Sequence, residues 1–289
     1  MARSRTRAWI ARLAGATVAL AGAACAVAAG PPQRIVSLNL CTDQLLIDIV
    51  PRERIVALSH LAADARLSTV ADRIAGLALV RGTAEEVLAL EPDLVIAGEH
   101  STPATVSLLR RLGMDVLVVP MASDIDGIRR AIRMIAETAG EIVRGEAIVA
   151  AFDARLEAAQ PRDAARPTAL AYQINSLTAG AGSLIDVAME AAGYRNLARS
   201  LTLGPGGRLP LETLVTRPPD LVVLANSPDS FPTASADNLR HPALRDLLAR
   251  RAHVALDMPL WLCGTPSLAE AVERLGSTRG SVALGEPVR

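Results

Sequence analysis

The chain has 289 residues, 51% of them hydrophobic and 2% aromatic, enough apolar material for one large or two moderate cores. Thirty Lys+Arg balance thirty Asp+Glu, and all the positive charge is arginine. That balance excludes a protein recruited by net charge to nucleic acid or to an acidic membrane surface.

Arg3, Arg5, Arg7 and Arg12 precede an Ala-, Leu- and Val-rich run over residues 13–29 that ends in small residues. This pattern predicts a secretory signal over residues 1–29, cleaved near Ala28 or Ala29, and a periplasmic mature protein. An uncleaved anchor is the alternative, but the run is short and Ala-rich for a span. Cys25 follows Gly22-Ala23-Ala24 without a Leu three residues upstream, so no lipid anchor is expected there. Export leaves no ATP supply and an oxidising compartment.

Residues 33–140 are expected to form a first α/β lobe. Strands are predicted over 34–38, 54–58, 94–97 and 115–119, and helices over 44–50 and 107–112, with residues 39–43 turning the chain. Such alternation implies right-handed crossovers and a mainly parallel sheet. Ligands gather at the carboxyl ends of such strands. Here those ends carry Asn39, Cys41 and Thr42, then Ser59 and His60, Glu99 and His100, and Pro120 and Met121.

Helices over 125–139 and 142–159 break at Gly140. The second supplies a connecting helix, bounded at 141–162, stiff enough to stop two lobes swinging far apart. Residues 163–289 form the second lobe, with strands over 168–173, 221–224 and 252–256. Helices are expected up to residue 192 and over 241–251 and 266–275. Gly180-Ala181-Gly182 lacks the third glycine of a dinucleotide turn, because Ile185 stands there. Residues 204–208 read as a flexible loop and 259–265 as an apolar loop; the tail from Gly276 carries no signal.

One unit occurs twice. Glu85 opens an apolar-periodic segment, Pro92-Asp93 follows seven residues later, and an aliphatic run continues directly. Glu212 and Pro219-Asp220 repeat the arrangement 127 residues on. A glutamate suits the positive first turn of a helix. Proline ends that helix and favours an extended predecessor, and the unbroken aliphatic run reads as a strand buried on both faces. Two copies predict two α/β lobes of one design.

The order and spacing of these segments resemble the class III periplasmic substrate-binding proteins of ABC importers, which capture cobalamin, ferric siderophores and haem. The resemblance rests on Arg34-Ile35-Val36-Ser37-Leu38, Ile55-Val56-Ala57-Leu58-Ser59, Glu85 with Pro92-Asp93-Leu94-Val95-Ile96, Ala192-Gly193-Tyr194-Arg195-Asn196-Leu197, and Glu212 with Pro219-Asp220-Leu221-Val222-Val223. It implies two α/β lobes with mainly parallel sheets, bridged by a long α-helix, with ligand in the cleft between them. It also implies a monomer without intrinsic cofactor that delivers a metal complex to membrane permease subunits. Glu85 and Glu212 would dock onto permease arginines through directional carboxylate–guanidinium pairs, with Glu86 a rival for Glu85.

Candidate ligand contacts are Asn39, Cys41, Thr42, His60, Gln173, Asn175, Arg208 and Trp261. Trp261 offers a large rigid face for a macrocycle. Arg208 could reach a ligand carboxylate or phosphate, the amides and Thr42 supply neutral hydrogen bonds, and His60 could meet a metal centre. A bare-metal site at Cys41, His60, Glu99 and His100 is the alternative. Cys41 and Cys263 form a disulfide or remain two buried thiols, with metal or cofactor ligation the third reading. No hydrolase, metalloprotease or P-loop motif is present, so an enzyme is not expected. A sensor or enzyme on the same fold is the different-class alternative.

Overall fold

The computed structural model describes residues 30–224 and 236–284. The expected signal segment with Cys25, and the expected end of the second repeat strand at Ala225, Asn226 and Ser227, lie outside them.

The first half runs β1 (Ile35–Ser37), α1 (Leu40–Ile49), β2 (Ile55–Ser59), β3 (Ala78–Val80), α2 (Ala84–Leu88), β4 (Leu94–Gly98), α3 (Pro103–Arg111) and β5 (Val116–Val119). Its sheet has the order β3-β2-β1-β4-β5, and every pairing is parallel. After α4 (Ile125–Ala139) and α5 (Ile142–Ala158), the second half runs β6 (Thr168–Tyr172), β7 (Leu177–Thr178), α6 (Leu184–Ala191), β8 (Arg195–Asn196), α7 (Leu197–Ser200), β9 (Gly207–Arg208), α8 (Leu211–Thr216) and β10 (Leu221–Leu224). It closes with α9 (Asp237–Arg240), α10 (Pro242–Leu248), β11 (Ala252–Ala255), α11 (Pro259–Leu262), α12 (Leu268–Ser277) and α13 (Arg279–Leu284). Here β11-β10-β6-β8 form a second parallel sheet, and β7 pairs with β9 in a separate antiparallel ribbon. The fold is α/β, with mainly parallel sheets flanked by helices.

The repeated unit has a structural purpose in both halves. Asp93 accepts hydrogen bonds from the backbone N–H groups of Gln33 at 2.6 Å and Arg34 at 2.9 Å, at the entry to β1. Asp220 accepts from the N–H and the hydroxyl of Thr168, both at 2.7 Å, at the entry to β6. Each Pro-Asp therefore fixes its own strand beside the neighbouring central strand, since β1 pairs with β4 and β6 with β10. Glu91 corrects one expectation: φ is 45°, left-handed and not extended. Its carbonyl and that of Leu90 are held by the Arg34 guanidinium at 2.9 and 2.6 Å.

Helix α5 packs against α4 and α1 at one end and against α12 at the other. Arg144 donates to the Asp48 carbonyl of α1 at 2.7 Å, and Arg155 grips Glu273 of α12 with two hydrogen bonds of 2.8 and 2.7 Å. Val149, Phe152 and Leu156 belong to one hydrophobic cluster that holds Ile35 and Ile96 of the first sheet together with Val223 and Leu221 of the second. The halves thus share a core, and their relative placement is fixed by packing as well as by covalent connection.

Four expectations about local structure need correction. Residues 39–43 do not turn the chain: Asn39 caps α1, its side-chain oxygen accepting from the Cys41 N–H at 2.9 Å. The 204–208 loop includes β9, and the 259–265 loop includes α11. The tail forms α13, and the Thr278 hydroxyl just before it meets the Tyr194 hydroxyl at 2.6 Å. Strands of two or three residues, such as β3 and β7–β9, are too short to carry a periodic signal.

Candidate functional site

The carboxyl ends of the two sheets face a cavity of about 420 Å³. The first half supplies Asn39, Cys41 and Thr42 after β1, Gly98, Glu99 and His100 at the end of β4, and Val119, Pro120 and Met121 at the end of β5. The second supplies Gln173 after β6, Leu177–Thr178 of β7, and Trp261, Leu262 and Gly264 around α11. The site is thus a cleft between two sheets, of the size that small ligands occupy. Its exposed lining surface is mostly apolar, with polar side chains such as Asn39, Thr42, Glu99, His100 and Gln173 set into it.

Glycines let the walls approach. Gly98 lies against Asn39, where an added Cβ would come within 2.7 Å of the side-chain amide carbon. Gly180 donates its N–H to the Gly204 carbonyl at 2.9 Å, and a Cβ there would meet the Leu203 carbonyl oxygen at 2.0 Å. The Gly180-Ala181-Gly182 segment thereby seats the chain that carries Pro205 and Gly206 into the cavity wall. Its glycines serve close packing, not a phosphate turn.

Cys41 and Cys263 are joined by a disulfide with a Cα–Cα distance of 5.1 Å. The bond runs from the first turn of α1 to the residue after α11, from one half to the other beside the cavity. It corrects the bare-metal alternative: Cys41 is not a thiolate, and among the described residues no three His, Cys, Asp or Glu side chains converge on a metal-sized site. Glu99 is engaged instead by the Met121 N–H at 3.0 Å.

The other candidates divide. Asn39, Cys41, Thr42, Gln173 and Trp261 line the cavity. Trp261 is buried, at 8% exposure, with its indole N–H toward the Leu256 carbonyl at 3.5 Å. The Thr42 hydroxyl is satisfied by Ser37 Oγ at 2.8 Å and the Asn39 carbonyl at 2.9 Å. His60 lies outside the cavity, in a smaller adjoining hollow. Asn175 and Arg208 do not line it either: both are exposed, and the Arg208 guanidinium of β9 donates to the Asn175 carbonyl, in the turn before β7, at 2.8 Å. Reasoning from sequence missed Leu177, Gly182, Ser183 and Leu262 of the lining, because they enter through a two-residue strand, a loop and the four-residue helix α11.

At the carboxyl end of β2, Asp43 of α1 is fully buried and accepts from the Ser59 hydroxyl at 2.5 Å and the Ser59 N–H at 3.2 Å. Burial pushes its carboxyl up to about 7, against the lowering pull of hydrogen bonds from Ser37 and Ser59. Glu85 and Glu212 are both exposed in the first turns of α2 and α8. Glu86 is occupied in a capping box, taking the Thr83 N–H and the Arg81 N–H, which leaves Glu85 the outward acid of that turn.

A family profile described as periplasmic binding protein matches residues 35–254. A cobalamin-binding protein of Halobacterium salinarum is 30% identical over 211 residues, covering 71% of this chain. The match spans 57% of that relative, little more than half its length. Among solved structures, the periplasmic haem-binding protein RhuT from Roseiflexus sp. RS-1 superposes with a TM-score of 0.72 at 25% identity, covering 87% of this chain and 99% of that one. The periplasmic vitamin B12-binding protein BtuF of Vibrio cholerae shares the fold, with a TM-score of 0.65 at 17% identity over 88% of this chain and 98% of that one.

Proposed function

The chain belongs to the periplasmic binding protein family, and from that premise we propose that it is the extracytoplasmic substrate-binding component of an ABC importer. It captures cobalamin or an iron complex, haem or a siderophore, between its two lobes and delivers it to the membrane permease. The observation that carries this reading is the cleft itself, walled by the strand ends of both sheets and mostly apolar, with Trp261 in one wall. A sugar, an amino acid or a bare ion needs a dense set of polar or charged partners, because each buried polar group left unpaired is costly. A large metal-bearing organic ligand presents apolar surface and needs only a few orienting groups. The cobalamin- and haem-binding relatives support the same ligand classes.

In this reading the mature protein works as a monomer in the periplasm, after removal of residues 1–29. Among the described residues no helix is long and apolar enough to cross a membrane. Glu85 and Glu212 provide the permease contacts, one on each lobe. The cleft binds its cargo and performs no chemistry on it.

A thermal-shift and absorbance screen with cobalamin, haemin, ferric siderophores and divalent metal salts tests the proposal. A ligand at one hundred times its dissociation constant stabilises the native state by about 2.7 kcal/mol. At least one metal complex should raise the melting temperature in a concentration-dependent way. A response to bare metal salts alone, or to none of the set, refutes it.

A further inference from the structure

Beside the cleft, on the first lobe, lies a smaller hollow of about 200 Å³. Asn39 and His100 line both spaces, so the two adjoin. The character of the smaller one is different. His60, His100 and Arg81 stand in its wall with the hydroxyl residues Ser59, Ser101 and Thr102, and no carboxylate lines it. The nearby acids are engaged elsewhere, Asp43 with Ser59 and Glu86 with the first turn of α2. Among the described residues the Arg81 guanidinium and the two imidazoles have no hydrogen-bond or ion-pair partner.

The start of α3 adds to this. That helix is nine residues long, and its cap residue Thr102 makes no side-chain bond to the first turn. Thr102 and Thr105 both line the hollow. Uncapped first-turn N–H groups carry partial positive charge. An unpaired guanidinium, two imidazoles and a helix start therefore surround one small space that continues from an apolar cleft. Donors of this kind bind carboxylate or phosphate oxygens through charge-assisted hydrogen bonds.

We propose that this annex receives an anionic arm, carboxylate or phosphate, of the ligand whose apolar body fills the cleft. The inference rests on the cleft reading above and narrows it to metal complexes that carry an ionised substituent at their edge. Arg81 and His60 then select the ligand's charge, while Trp261 and its apolar neighbours hold its body.

Haemin, whose propionates are ionised, and its dimethyl ester, whose propionates are neutral, are the probes. Arg81 and His60 are exposed, so the double variant Arg81→Ala, His60→Ala should fold. It should weaken haemin at least about tenfold, as expected for loss of a hydrogen bond to a charged group, and leave the ester within about twofold. Equal loss for both probes, or none for haemin, overturns the annex while the cleft reading stands. A second measurement decides the matter even if no metal complex binds and the cleft reading falls. The chain has four histidines, and His241 and His253 lie outside the annex, each bonded to nearby backbone at 3.1 and 3.2 Å. Titration with inorganic phosphate at constant pH and ionic strength should shift the imidazole proton resonances of His60 and His100 alone. Uniform shifts in all four, or none in any, overturn the proposal.

Discussion

Cys41 on α1 and Cys263 behind α11 are bonded across the two halves of the chain, 222 residues apart in sequence, at the edge of the cavity that both halves line. Together with α5 and the common core, this bond ties the two walls of the cleft to each other. A pre-formed site loses less conformational freedom on binding than one that must first close.

Replacing both residues, Cys41→Ser with Cys263→Ser, should cost about 2–5 kcal/mol of stability, mainly by freeing the unfolded chain. Denaturant unfolding of oxidised wild type against the variant measures it. Ligand binding should weaken in parallel. Unchanged stability would show that α5 and the core alone hold the two halves together.

Asp43 makes stability depend on pH in a definite direction. Its carboxyl is raised from 3.8 to about 7 by burial, so the folded state holds a proton that the unfolded chain gives up. The contribution is full below about pH 4 and is lost as pH rises towards 7, by at most about 4 kcal/mol. Asp43→Asn should remove this loss, so the variant gains on wild type between pH 4 and 7. A constant difference across that window would mean that Asp43 is ionised in the fold.

Met121 is 64% exposed at the rim of the cleft. Met121→Asp should leave the melting temperature nearly unchanged, because surface substitutions of this kind stay within about 0.5 kcal/mol. It should weaken an apolar ligand about tenfold by placing a charge beside it. Calorimetric titration of the variant with whichever metal complex binds wild type checks this, and equal affinity would remove Met121 from the contact surface.

Glu85→Arg with Glu212→Arg should leave ligand affinity intact and abolish uptake, because it reverses both charges expected to meet permease arginines. Transport by cells that carry the double variant measures it. Normal uptake would leave the two glutamates as helix-start acids only.

The helix–strand alternation was visible in the sequence because buried parallel strands are unbroken aliphatic runs, as in Leu94–Gly98 and Leu221–Leu224. From those runs the rule of strand carboxyl ends led to Asn39, Thr42, His100 and Met121, all of which line the cleft. Arg208 was misleading for a physical reason. A glycine-rich neighbourhood suggested a mobile arginine, whereas pairing of β9 with β7 and a backbone acceptor at Asn175 hold it on the ribbon. The contribution of Leu177, Gly182 and Ser183 depends on contacts between segments far apart in sequence, for which no local pattern exists. The disulfide was one of three readings, because spacing alone does not show whether two Cβ atoms approach.

Trp261 is one of two tryptophans in the sequence, and the other, Trp9, lies in the expected signal segment, so in a protein prepared without that segment the emission reports on one wall of the cleft. Titrating that emission with cobalamin, haemin and a ferric siderophore, against free tryptophan as the optical control, addresses the central claim most directly. Capture between the lobes predicts saturable one-to-one quenching by at least one of these complexes, beyond the control. Quenching that only tracks the control for every complex would contradict it.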